Sequence, residues 1–104
     1  MARFDIFANP DAREAQRIPF FLDVQNSHLS ALATRVLVPL WHATHLPLRA
    51  NELNPVLEFQ GQSLVMDTAS LAAVPMTALR RPVDNLADQQ LAIQNALDAL
   101  FGAY

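Results

Sequence analysis

The hydrophobic period of this chain changes once, and that change limits what it can fold into. Up to about residue 83 the apolar residues come in short strand-like runs broken by proline. Beyond it, Ile93, Ala96, Leu97, Leu100 and Phe101 fall at i, i+3, i+4, i+7 and i+8, the spacing of one helical face. Asp84 or Asn85 is the expected N-cap, and Asp88 puts a carboxylate in the first turn, where the helix dipole favours it. Gly102 stands where a chain leaving a helix adopts a left-handed conformation. Antiparallel strands followed by one terminal helix make a mainly β, α+β domain of barrel-like character.

The strands can be placed segment by segment. Arg3 to Phe7 alternates polar and apolar residues and presents Phe4 and Ile6 on one face; Asn9-Pro10-Asp11 stops it. Residues 11–17 are polar and read as an exposed loop. A second strand runs from Ile18 to Gln25, with Pro19 at its start. Residues 26–34 form a turn, and Arg35 to Leu40 reads as a more buried strand whose end is marked by Pro39. Residues 41–54 lack a clear period and read as a connection, with one helical turn over 48–53. Val56 to Phe59 and Ser63 to Met66 form a hairpin around Gln60-Gly61-Gln62, in which Gly61 supplies the positive φ of a tight reversal. Ser70 to Pro75 reads as a strand, and residues 76–83 as a further short strand broken by Pro82.

Composition excludes several functions. The 104 residues contain no cysteine, which removes disulfides, thiolate metal sites and thiol catalysis. All seven basic residues are arginine, ten carboxylates outnumber them, and the formal charge is −3. That balance lacks the basic surplus a general nucleic-acid binder needs for counterion release, so a protein partner is the better expectation. Asp5 interrupts the start of any signal-peptide apolar stretch, and a cytoplasmic location is expected, with no membrane span. The size suits one domain over residues 1–104. An apolar content of 52% is high for so short a chain and points to apolar surface kept for another molecule.

Catalytic signals are weak. Ser27, Ser30, Ser63 and Ser70 lie in no elbow-like glycine context. His42 and His45, with Glu52, have the spacing of half a metal site, but without a supporting motif they read as surface histidines. Asp5, Asp23, Glu58 and Asp67 lie in different strands and show no pairing for acid–base work. Arg80 and Arg81, beside Pro82, read as a solvated loop rather than a phosphate contact. No catalytic residue, metal or cofactor is assigned, and the chain is expected not to be an enzyme. The helix stripe is expected to cover the core as far as Phe101, leaving Gly102, Ala103 and Tyr104 free.

Several segments together resemble the CcdB toxin family: Phe21-Leu22-Asp23-Val24-Gln25, Arg35-Val36-Leu37-Val38-Pro39-Leu40, Glu52-Leu53-Asn54-Pro55-Val56, Met66 with Ala72-Ala73-Val74-Pro75, and Ile93-Gln94-Asn95-Ala96-Leu97. They occur in family order over essentially the whole chain. The resemblance implies an SH3-like barrel sheet of the CcdB and MazF type, with an accessory hairpin and a C-terminal helix, assembled as a homodimer. It implies a type II toxin that binds the A subunit of DNA gyrase and traps the cleaved-DNA complex. A CcdA-like antitoxin would neutralise the toxin, and the two together would repress their operon, DNA being reached only through the antitoxin.

The resemblance also implies where the partners bind. The gyrase-facing positions map to Asn26, His28 and Leu29 after the second strand, to Asp98 on the helix, and to Gly102, Ala103 and Tyr104 at the tail. Toxic members end in Trp-Gly-Ile or a relative ending Gly-Ile; here the aromatic residue has moved two positions, to Tyr104. Leu29 keeps its family character, whereas His28 replaces an apolar anchor and Asp98 adds a charge. Arg17 matches a family arginine near the antitoxin-binding surface and reads equally as a solvated strand-edge charge. The altered tail leaves open a non-toxic or retargeted homologue that keeps antitoxin binding. An mRNA endoribonuclease of the MazF and Kid type ranks below both, because net negative charge suits a ribonuclease groove poorly.

Overall fold

The computed structural model describes residues 1–46 and 49–102. Its strands are β1 (Asp5–Ala8), β2 (Phe20–Asp23), β3 (Thr34–His42), β4 (Val56–Phe59), β5 (Gln62–Met66), β6 (Ala72–Pro75) and β7 (Asp84–Asn85), followed by the helix α1 (Gln90–Phe101). The strands form one curled antiparallel sheet of seven, in the order β4-β5-β3-β2-β1-β7, with β6 also pairing β3. The fold is therefore mainly β, a half-barrel with a C-terminal helix, as the change of period predicts.

Strand β3 is the hub because it is long enough to serve two partners on one side. Thr34 to Leu37 pair with β6, and Leu40 to His42 pair with β5. Its other side pairs with β2 from Phe20↔Leu40 to Asp23↔Leu37. This register aligns Ile6, Leu22 and Val38 across three strands. Side chains alternate faces along a strand, so the even-numbered residues of β1 to β3 share one face. Phe4, Ile6, Leu22, Val24, Val38 and Leu40 join Ile93, Ala96 and Leu97 of the helix in one buried cluster. The opposite face is also buried in part, and there Asp23, Gln25 and Arg35 are covered together.

Four expectations need correction. Pro39 does not end its strand but lies within β3, opposite Phe21. Its carbonyl accepts from the Asp67 N–H (3.0 Å), on the side where β5 has ended and β6 has not begun. A residue's N–H points to the same side as its C=O, so the missing donor falls where no neighbouring strand requires one. Residues 76–83 form no strand; Met76–Ala78 is a 3-10 turn. Asp84 and Asn85 do not cap the helix, because they pair with β1 as β7. A 3-10 turn, Ala87–Gln89, intervenes with Leu86 at its N-cap, and the Asn85 side chain one residue earlier accepts from the Ala87 N–H at 2.9 Å.

The expected helical turn over 48–53 lies partly outside the described residues, though an Asn54 N–H to Ala50 C=O bond of 2.7 Å closes one turn there. Finally, Phe101 is 70% exposed rather than part of the core. It sits eight positions after Ile93, about 80° further around the helix, at the margin of the apolar face.

Both glycine expectations hold. The hairpin reverses through Gln60 and Gly61 at φ 50° and 74°, the pair of positive angles a two-residue type I′ turn requires. Gly102 ends the helix at φ 75°, its N–H bonded to the Asp98 C=O at 2.9 Å.

Candidate functional site

A pocket of about 440 Å³ opens between the connection leaving β2 and the last two turns of α1. Val24, Leu29, Val36, Leu71, Leu97 and Phe101 give it apolar walls, while Arg3, Gln25, Asn26, Gln94 and Asp98 supply polar groups. Leu29 and Phe101 are 48% and 70% exposed, so the rim presents apolar surface to the outside. An apolar concavity with a few convergent polar groups suits recognition of another molecule.

One wall is the 3-10 turn Ser27–Leu29. Asn26 precedes it and accepts from the His28 N–H through Oδ1 at 2.9 Å, the geometry of an N-cap. The Arg3 N–H donates to Ser27 Oγ (3.0 Å) and ties the turn to the N-terminal segment. The second wall is the helix. Arg3 Nη2 donates to Gln94 Oε1 (2.7 Å), and Gln94 Nε2 donates to Asp98 Oδ1 (2.9 Å). The same guanidinium donates through Nε to the Val24 carbonyl (3.3 Å) and lies 4.8 Å from the Phe4 ring centroid. A polar relay therefore runs from the N-terminus to Asp98, holding its carboxylate at the pocket edge.

Beneath the turn lies a buried ion pair. Arg35 donates through Nε to Asp23 Oδ2 (2.7 Å) and through Nη2 to Asp23 Oδ1 (2.9 Å), with both side chains fully buried. Arg35 Nη2 also donates to the Gln25 carbonyl at 3.2 Å. Nη1 of Arg35 is buried without a hydrogen-bond partner among the described residues.

Of the residues expected to face a target, Asn26, Leu29 and Asp98 line this pocket together. His28 is exposed on the same turn without lining it, and Gly102 follows the lining residue Phe101. Ala103 and Tyr104 lie outside the described residues. Arg17 is exposed at the other end of β2, where its carbonyl accepts from the His42 N–H (2.9 Å). The His42 and His45 rings are 6.2 Å apart, and no group of three His, Cys, Asp or Glu suited to a metal occurs among the described residues. Nor is any helix among them long and apolar enough to cross a membrane.

Sequence reasoning missed Arg3, Gln94 and Phe101 as parts of this site. Gln94 and Asp98 carry a usable signal, since an i, i+4 pair of amide and carboxylate meets on one helical face. Arg3 carries none, because its position over the helix depends on the whole sheet.

The protein-family model described as CcdB protein matches residues 3–102.

Proposed function

This chain belongs to the CcdB family, the toxins of toxin–antitoxin systems, and we propose that it acts by protein–protein contact, binding the A subunit of DNA gyrase through the pocket face. In this proposal it traps the cleaved-DNA complex and catalyses no reaction of its own. A CcdA-like antitoxin neutralises it and joins it in repressing their operon. The acting form is a cytoplasmic homodimer of one-domain chains.

One observation carries the proposal. Asn26, Leu29 and Asp98, brought from two elements far apart in sequence, line a single pocket whose rim exposes Leu29 and Phe101. A few well-placed apolar anchors within a polar surround commonly dominate the energy of a protein contact. The net charge of −3 favours a protein target, with DNA contacts supplied by the antitoxin.

Expression without antitoxin in a bacterium with sensitive gyrase is expected to arrest growth, and immobilised protein is expected to capture purified gyrase A. Normal growth with soluble, folded protein and no capture overturns the proposal.

A second possibility, a homologue retargeted to another protein, is favoured by Asp98. The Gln94 amide holds its carboxylate beside the apolar walls, where a partner with a matching cation gains most. In that case the triple substitution Gly102→Trp, Ala103→Gly, Tyr104→Ile is expected to create gyrase capture that the native chain lacks. Unchanged behaviour of the graft counts against a difference confined to the tail.

A further inference from the structure

We propose that Gln25 is a positioning residue for the target-binding face, transmitting the fixed geometry of the Asp23–Arg35 pair to Leu29 at the pocket rim. The proposal rests on the reading of that face as the site of target contact.

Gln25 is 8% exposed and is held at every polar atom of its backbone and side chain. Its N–H donates to Asp23 Oδ1 (2.9 Å) and its carbonyl accepts from Arg35 Nη2 (3.2 Å), so the ion pair grips the backbone from both sides. Its side-chain amide reaches outward. Nε2 donates to the Leu29 carbonyl (3.1 Å) and Oε1 accepts from the Val36 N–H (3.0 Å). Leu29 and Val36 are both pocket residues, one on the turn and one on β3. The amide therefore spans the pocket wall and sets the distance between turn and strand.

Stability alone does not account for this construction. Burying an ion pair and an amide costs desolvation that an apolar side chain of similar volume avoids. What the polar arrangement supplies is direction, and it ends on Leu29, an exposed residue that adds little to the core. Fixing an exposed anchor before binding removes the ordering cost at the moment of contact. The turn's own bonds, Leu29 N–H to Asn26 C=O (2.9 Å) and Ser30 N–H to Ser27 C=O (3.2 Å), define its shape but not its position against β3.

The test compares Gln25→Met, which keeps length and loses both amide bonds, with Leu29→Ala and the double variant. Affinity for purified gyrase A is measured alongside amide hydrogen exchange. Gln25→Met is expected to weaken capture about tenfold, equivalent to about 1.4 kcal/mol. In the Leu29→Ala background it is expected to have almost no further effect, because it acts through Leu29. Exchange at Leu29 and Ser30 is expected to accelerate about tenfold while Ile6 and Leu22 keep their rates.

If Leu29→Ala weakens capture and Gln25→Met does not, or if the two effects simply add, the positioning role is wrong. If native protein fails to capture gyrase A, the gyrase assignment falls, and unchanged exchange in Gln25→Met then overturns the positioning role separately. Should Gln25→Met fail to fold, Gln25→Asn, whose amide is one methylene too short to span Leu29 and Val36, is measured in the same way.

Discussion

Asp23 and Arg35 meet diagonally across β2 and β3 as a fully buried, two-point ion pair, Nε to Oδ2 at 2.7 Å and Nη2 to Oδ1 at 2.9 Å. Removing one partner leaves the other charge buried alone. Asp23→Ala is expected to cost about 3–5 kcal/mol. Chemical denaturation followed by circular dichroism measures it, and a loss below about 1 kcal/mol would show that water reaches Arg35.

The pocket rim offers a contrasting prediction. Leu29 is exposed, so Leu29→Ala is expected to change folding stability by less than about 0.5 kcal/mol. Its loss of gyrase A capture is expected to exceed about tenfold, the size of effect seen for central anchor residues. Calorimetric titration beside a thermal melt separates the two quantities; equal losses in both would mark Leu29 as merely structural.

Arg17 lies at the far end of β2 from this pocket and is exposed. Arg17→Ala is expected to weaken antitoxin binding by about 0.5–1 kcal/mol, less at high salt, with gyrase capture unchanged. Titration with the cognate antitoxin at two salt concentrations decides it.

The hairpin turn places a non-glycine residue, Gln60, at φ 50°. Asn tolerates this region better, so Gln60→Asn is expected to stabilise the fold by about 0.5–1 kcal/mol. A rise in melting temperature is the readout, and a fall would indicate that Gln60 contributes a contact of its own.

Strand β4 is an edge, and the Gln89 side chain occupies it: Oε1 accepts from the Glu58 N–H (2.9 Å) and Nε2 donates to the Glu58 carbonyl (2.8 Å). The amide thus imitates a neighbouring strand at one residue. Gln89→Ala is expected to cost about 1 kcal/mol and to increase self-association, since an uncovered edge pairs readily with another chain. Light scattering over a concentration series checks the second effect, and an unchanged mass at all concentrations counts against it.

Legibility in the sequence follows the range of the forces involved. Ile93, Ala96 and Leu97 announced a buried helical face because their spacing is a local property, and Gly61 and Gly102 announced positive φ for the same reason. Asn85 misled because a side chain that accepts from a backbone N–H two residues on suits a helix start and a strand end alike, and only the presence of β1 decides between them. Pro39 misled in the same way: a missing N–H ends a strand only where a neighbour needs it.

By itself, then, the sequence determined a mainly β domain closed by one helix, its hairpin and its family, because period, turn chemistry and segment order are written in neighbouring residues. The register of β2 on β3 was decided only in three dimensions. That register brings Asp23 to Arg35 and places Gln25 between Leu29 and Val36, while the pairing of β1 with β2 and the packing of the helix on the sheet let Arg3 reach Gln94 across the pocket. Side chains of such separation meet only after the sheet has formed and curled, so the site is a property of strand pairing that no local pattern encodes.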